Sequence, residues 1–292
     1  MVAPWSAPDV AALERVAPQA PVPSGAAPER NTPRGAPLLG HPLTRFDIVD
    51  TALDTIKAAP RVVLGATALF LVPFEIASVL LRRDQLNVDD VNDVITVEWL
   101  AAIALRLVAL SFVTFAVARL VWAWQHGEAP TAFQAASASL GRAPALLVAW
   151  VAVHICEAAA ALSFGVPLLF VAPLLFATVP IIAIEECGVF AAMARSWRLA
   201  SKEVGLAVGG LLVVVVVAGV LEVTLSGLGY VSDSIFDTLD IGGAWIVDVA
   251  ISLATSLILL PFVAAASTLL YLDLRVRREG LDIELAAARH FR

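Results

Sequence analysis

Val204–Leu225 reads VGLAVGGLLVVVVVAGVLEVTL, a run whose single ionisable residue is Glu222. At 1.5 Å per residue, a helix of that length covers about 33 Å, the thickness of a bilayer's hydrocarbon layer. Five more apolar runs lie at 62–81, 100–124, 144–163, 166–184 and 245–270. A soluble fold would have to bury them all, and the remaining residues are too few to form the polar shell. The whole composition agrees. Of 292 residues 60% are apolar and 15% charged, with a net charge of −7, against roughly 45–50% and about 25% in ordinary soluble domains. Mean hydropathy is +0.86. A plain soluble enzyme, a disordered chain and a nucleic-acid binder with a basic face are all excluded. The expected fold is an all-α, polytopic integral membrane protein of six transmembrane helices.

Outward from these spans, residues 1–40 form a Pro/Ala-rich segment expected to stay disordered. Eight prolines fall there, among Ala, Ser, Gly and alternating charges. It lacks the apolar core of a signal peptide. The six-helix domain is expected over 41–273 and a C-terminal helix over 274–292, and the alternating charges of Asp273–Arg289 suit a solvated helix. The gap at 163–166 predicts a tight hairpin between the third and fourth spans. Pro167, Pro173 and Pro180 predict a kink in the fourth.

Basic residues give an orientation. Arg45, Lys57 and Arg61 precede the first span. Arg119 and Arg142 flank the second connection, Arg195, Arg198 and Lys202 lie in the fourth, and Arg275, Arg277 and Arg278 follow the sixth. The other side has Arg82 and Arg83 among Asp84, Asp89, Asp90, Asp93 and Glu98, and its last loop has only Asp233, Asp237 and Asp240. Both termini are therefore expected in the cytoplasm. Trp99, Trp122, Trp124, Trp245 and Tyr271, near span ends, read as interfacial anchors.

Three spans follow similar segments, which begin at Leu43-Thr44-Arg45-Phe46, Pro130-Thr131-Ala132-Phe133 and Cys187-Gly188-Val189-Phe190. Thr44 with Asp47, and Thr131 with Gln134, fit a capping box. Apolar residues recur at helical spacing: Phe46, Val49, Leu53, Ile56; Phe133, Ala136, Leu140; and Phe190, Met193, Trp197. The pattern predicts three amphipathic helices lying in the headgroup plane, each followed by a transmembrane pair.

Ionisable groups inside spans need partners or water. Glu75 and Arg106 come to similar depth on adjacent antiparallel helices, which predicts an ion pair. Glu157 lies at that depth too, with His154 one turn below it, and Glu222 and Asp248 are shallower. Two readings stay open. In one, Glu75, Arg106, His154 and Glu157 line a polar cavity in which Arg106 binds phosphate or carboxylate. In the other, the charges specify the fold. Arg195, Trp197, Arg198 and Lys202 form a candidate surface for anionic headgroups or a protein partner, although ordinary positive-inside topology also places such residues there.

Cys156 reads as a small, buried, inert thiol, too far from Cys187 to pair with it. Scattered histidines give no metal-ligand spacing, and no cofactor motif or nucleophile elbow occurs. Gly205 and Gly209 form a GxxxG pattern suited to close helix packing, which chance also produces in such a span.

The segment Pro180–Gly188 with Ala192–Leu199, the ending Tyr271–Asp282 and the opening Pro42-Leu43-Thr44 resemble the glycerophosphoryl diester phosphodiesterase membrane domain family, in the form found in actinobacterial members. The resemblance covers roughly residues 42–286. It implies a multi-helix membrane domain, attached in some members to a soluble phosphodiesterase. That part's His-Arg-Gly signature is absent, as is room for a barrel of about 250 residues. The expectation is a non-enzymatic anchor or assembly module of a bacterial inner (plasma) membrane, linked to envelope or glycerophospholipid metabolism. Its expected partners are membrane lipids and a membrane or cytoplasmic protein, with no nucleic acid. The alternative is a transporter or lipid translocator. An intramembrane hydrolase would have only His154 and Glu157 to work with.

Overall fold

The computed structural model describes residues 32–82, 96–238 and 244–290, and every regular element among them is helical. The order is α1 Arg45–Ala58, α2 Pro60–Arg82, α3 Val97–Gln125, α4 Ala132–Gly141, α5 Ala143–Leu162, α6 Leu168–Leu175, α7 Thr178–Glu185, α8 Val189–Ser201, α9 Val204–Thr238, α10 Ala244–Glu279 and α11 Leu281–His290. Six stretches are long and apolar enough to cross a bilayer. They lie in α2, α3, α5, α6 with α7, α9 and α10. The expected all-α membrane architecture is therefore present. The end of the bundle that holds α1, α4 and α8 is here called basal, and the opposite end apical.

The fourth span breaks where its prolines predicted. Helix α6 ends at Leu175 and α7 starts at Thr178, whose hydroxyl donates to the Leu175 carbonyl at 2.7 Å. The apical hairpin before it turns through Phe164 and Gly165, both at positive φ.

The threefold pattern is a structural repeat. Helices α1, α4 and α8 begin from nearly the same extended residue: Thr44 at φ −77°, ψ 168°, Thr131 at −75°, 162°, and Gly188 at −73°, 159°. Both expected capping boxes form, with Asp47 and Gln134 returning bonds to the Thr44 and Thr131 amides at 2.9 and 2.8 Å. The backbone amide and then the hydroxyl of Thr44 hold the Asp47 carboxyl below the usual carboxylate range. Four residues after each cap the side chain is buried (Ile48, Ala135, Ala192). Eight after, a small residue is fully buried (Ala52, Ser139, Ser196). Of the apolar residues read from the spacing, Phe46, Phe133, Leu140, Phe190 and Trp197 face outward, whereas Ala136 is buried and Val49, Leu53 and Ile56 pack against the core.

The units interlock in a ring. The second, fourth and sixth spans (α3, α7, α10) touch one another at the centre, and each of α2, α5 and α9 lies between two of these inner spans. Each basal helix packs on the transmembrane pair of the preceding unit: α4 on α2 and α3, α8 on α5 and α6–α7, and α1 on α9 and α10. Ser139 and Ser196 make equivalent ties, donating to the Phe112 and Leu174 carbonyls of those preceding spans at 3.2 and 2.7 Å.

Glycines at the sixth position of two outer spans allow this packing. A Cβ on Gly65 would lie 3.3 Å from that of Ala132, and one on Gly209 would lie 2.5 Å from Cζ of Arg45. Gly209 thus admits the Arg45 guanidinium, whose Nη2 donates to the Gly205 carbonyl at 2.9 Å. Alanine in a helix interior is worth about 1 kcal/mol over glycine. Gly209→Ala should therefore stabilise an Arg45→Ala background by about 1 kcal/mol, yet give no gain in the wild type, where the guanidinium must move. Thermal unfolding of the four proteins in one detergent measures this reversal.

Several boundaries and burials differ from the sequence reading. Residues 1–31 lie outside the described part, but the tail joins the fold before residue 41. Leu39 is 3% exposed, its amide donates to Gln125 Oε1 at 3.0 Å, and Gln125 Nε2 donates to the Pro37 carbonyl at 2.8 Å. No break occurs at 273/274. Helix α10 runs to Glu279 and stops at Gly280, whose φ of +68° glycine adopts without strain. Asp273 is fully buried rather than solvated, because its charge meets a partner there. Trp124 and Tyr271 are core side chains, not interfacial anchors. The side chains of Trp99, Trp245 and Asp248 lie outside the described residues. Cys156 is exposed on α5, not buried.

Candidate functional site

Two polar clusters stand out, one at each end of the bundle. The basal cluster joins Pro180–Gly188, Ala192–Leu199 and Tyr271–Asp282. Glu185 closes α7, and Arg195 lies on the next helix, α8. Arg195 Nε is 2.7 Å from both Glu185 oxygens, and Arg195 Nη2 donates to Glu279 of α10 at 2.9 Å. The Tyr271 hydroxyl donates to Glu185 Oε1 at 2.6 Å. Arg275 Nε donates to Glu279 at 3.0 Å, with its guanidinium 5.7 Å from the Trp122 ring centre and 6.0 Å from that of Tyr271. Burial works against the charge on Arg195, but Glu185 and Glu279 outweigh it and raise its pKa. Burial first, and then Glu185, pushes the Cys187 thiol up, so little reactive thiolate forms near neutral pH.

A second basal clamp lies one turn away. Asp273 accepts from the Leu43 amide at 2.7 Å and from Arg277 Nε at 2.8 Å, while Arg277 Nη2 donates to the Leu43 carbonyl at 2.6 Å. The i, i+4 pair of α10 thus holds both backbone groups of Leu43. Glu186, in the left-handed conformation at φ 53°, meets Arg119 at 2.8 Å. Arg119 also donates to the Ala183 carbonyl at 3.2 Å, which fixes a backbone turn that costs a non-glycine residue roughly 1–2 kcal/mol.

Of the proposed headgroup surface, Arg195 faces inward and is committed to its two carboxylates. Trp197, Arg198 and Lys202 remain on the exposed face of α8. The Phe residues that open the three basal helices, Phe46, Phe133 and Phe190, are exposed by 72%, 73% and 73%, another sign of equivalent positions.

At the apical end, Arg106 pairs with Glu222 of α9 at 3.6 Å and donates to the Ser256 hydroxyl of α10. The expected partner, Glu75, instead accepts from Ser252 of α10 at 3.3 Å. Depth along a helix sets the level of a charge but not its azimuth, and Arg106 is turned toward α9. Ser252 and Ser256 are one turn apart, so α10 links the two groups indirectly. Sequence reading missed both serines, since a hydroxyl in an apolar span carries little signal. Among the described residues, Glu222 Oε2 and Trp150 Nε1 are buried without a hydrogen-bond partner.

His154 and Glu157 belong to neither cluster. Their 3.9 Å separation exceeds a hydrogen bond, and His154 Nδ1 is engaged at 2.8 Å by the Trp150 carbonyl. Among the described residues no hydrogen bond or ion pair joins them to Arg106 or Glu75, and no group of three or more His, Cys, Asp or Glu side chains could hold a metal. Of the four residues read as a cavity lining, Arg106 thus takes Glu222, Glu75 takes Ser252, and His154 and Glu157 lie together on α5. No family model, curated protein or solved structure matches the chain.

Proposed function

We propose that this protein is a non-enzymatic scaffold of a bacterial plasma membrane, serving as an anchor or assembly module in envelope or glycerophospholipid metabolism. The observation that carries the reading is the basal network. Glu185, Arg195, Tyr271, Arg275 and Glu279 are bonded to one another across α7, α8 and α10. Groups so thoroughly paired are spent on fixing helices, which leaves the exposed face of α8 as the contact surface. Trp197, Arg198 and Lys202 there suit anionic headgroups or an acidic protein face. The basic residues at this end support a cytoplasmic basal side with both termini inside. The link to glycerophospholipid metabolism rests on the resemblance of residues 42–286 to the membrane domain family.

The test is affinity purification of the full chain from its native membrane in mild detergent. The expected result is co-purification of an enzyme of glycerophospholipid breakdown or synthesis, lost when Trp197, Arg198 and Lys202 are replaced together by alanine. A complex that survives this replacement, or the absence of any such enzyme, contradicts the reading.

The apical end favours a second reading, lipid translocation. Arg106 and Glu222 lie about one to two turns inside their spans, where a charge pair is costly unless it serves assembly or transport.

A further inference from the structure

On the apical half of the bundle, α2 and α10 enclose an open groove of about 180 Å³, lined by Val72, Glu75, Ile76, Leu80, Val249 and Leu253. Val72, Ile76 and Leu80 are exposed by 38%, 56% and 63% and form one stripe along α2, so the groove opens toward lipid. Its one ionisable group, Glu75, is only 7% exposed. Ser252 is its hydrogen-bond donor, and among the described residues no cation lies within ion-pair distance. Among the described residues, Arg106 is paired with Glu222 and not with Glu75. Among the described residues Glu75 thus has a hydroxyl partner and no counter-charge, in a medium where an uncompensated charge is expensive.

We infer that this groove binds a phospholipid with a primary-amine headgroup from the apical leaflet, its ammonium on Glu75 and its alkyl chain along the groove. Three features select that class. Glu75 lies in the apical half of its apolar run, six residues short of its end at Leu81, about 9 Å along the helix. An ammonium supplies the missing charge and three N–H donors to a carboxylate that has one hydroxyl partner. The apolar walls accept a chain but offer nothing to the hydroxyls of a glycerol headgroup. A choline headgroup carries charge but has no N–H to donate. This site is independent of the scaffold reading, because a bound lipid suits a scaffold and a translocator equally.

The experiment is native mass spectrometry of the full-length protein released from detergent, titrated with phosphatidylethanolamine, phosphatidylglycerol and phosphatidylcholine of identical chains. Phosphatidylethanolamine is expected to be retained about tenfold more strongly than phosphatidylglycerol, the scale of one charge-assisted contact. Glu75→Gln should abolish that preference. Ile76→Trp, which fills the groove from the lipid side and leaves Glu75 in place, should lower retention. Equal retention of the three lipids by the wild type, or an unchanged preference in Glu75→Gln, overturns the proposal. Should Glu75→Gln fail to fold, Ile76→Trp decides, and undiminished retention there overturns it.

Discussion

Asp273→Ala is expected to lower stability by about 3–5 kcal/mol, the cost of breaking a buried charge pair from one side. Asp273 is fully buried and satisfies two partners. Its removal leaves the Leu43 amide without an acceptor and Arg277 without a counter-charge. Both losses fall where α1 closes the ring of units onto α10, so the damage is not confined to one helix. Asp273→Asn keeps an acceptor for Leu43 and loses the ion pair, and should cost about half as much. Thermal unfolding in one detergent measures both. Equal stability of Asp273→Ala and wild type would show that the clamp holds nothing.

Glu185→Ala should have the next largest effect, about 3 kcal/mol, because one carboxylate serves Arg195 and Tyr271 on two helices. Tyr271→Phe alone removes one charge-assisted hydrogen bond, about 1.5 kcal/mol. In a Glu185→Ala background it should cost almost nothing, because the acceptor is already gone. That non-additivity distinguishes a working network from adjacent but independent contacts. Additive losses would mean that Tyr271 is stabilised by packing alone.

Much of this fold was readable from sequence, for identifiable reasons. The six spans follow from apolar length, which any cross-section of the chain reveals. Pro173 and Pro180 announced the break between α6 and α7. Thr44 and Thr131 announced two helix starts through residues three positions on. Phe46, Phe133 and Phe190 announced the repeat, even though they point away from the core. The charged sites were harder to read. The Asp273–Arg277 spacing looks the same on a solvated helix as on one that clamps a neighbouring backbone. Arg195 was visible as a basic residue, but its engagement depends on Glu279, far away in the chain. Glu75 matched Arg106 in depth and Glu222 read as shallower, yet the rotation of α3 turned Arg106 to Glu222. The ring arrangement, in which each basal helix serves the unit before it, has no local signature at all.

The central claim is that the charged groups of this membrane protein hold it together rather than move a substrate. Fluorescent-lipid translocation in proteoliposomes tests it most directly. The full-length protein is reconstituted and the fraction of labelled lipid reachable by an impermeant quencher is followed with time. The account predicts a rate equal to that of protein-free vesicles, unchanged in Arg106→Ala and Glu75→Gln. Faster exchange in the wild type that disappears in Arg106→Ala would contradict it.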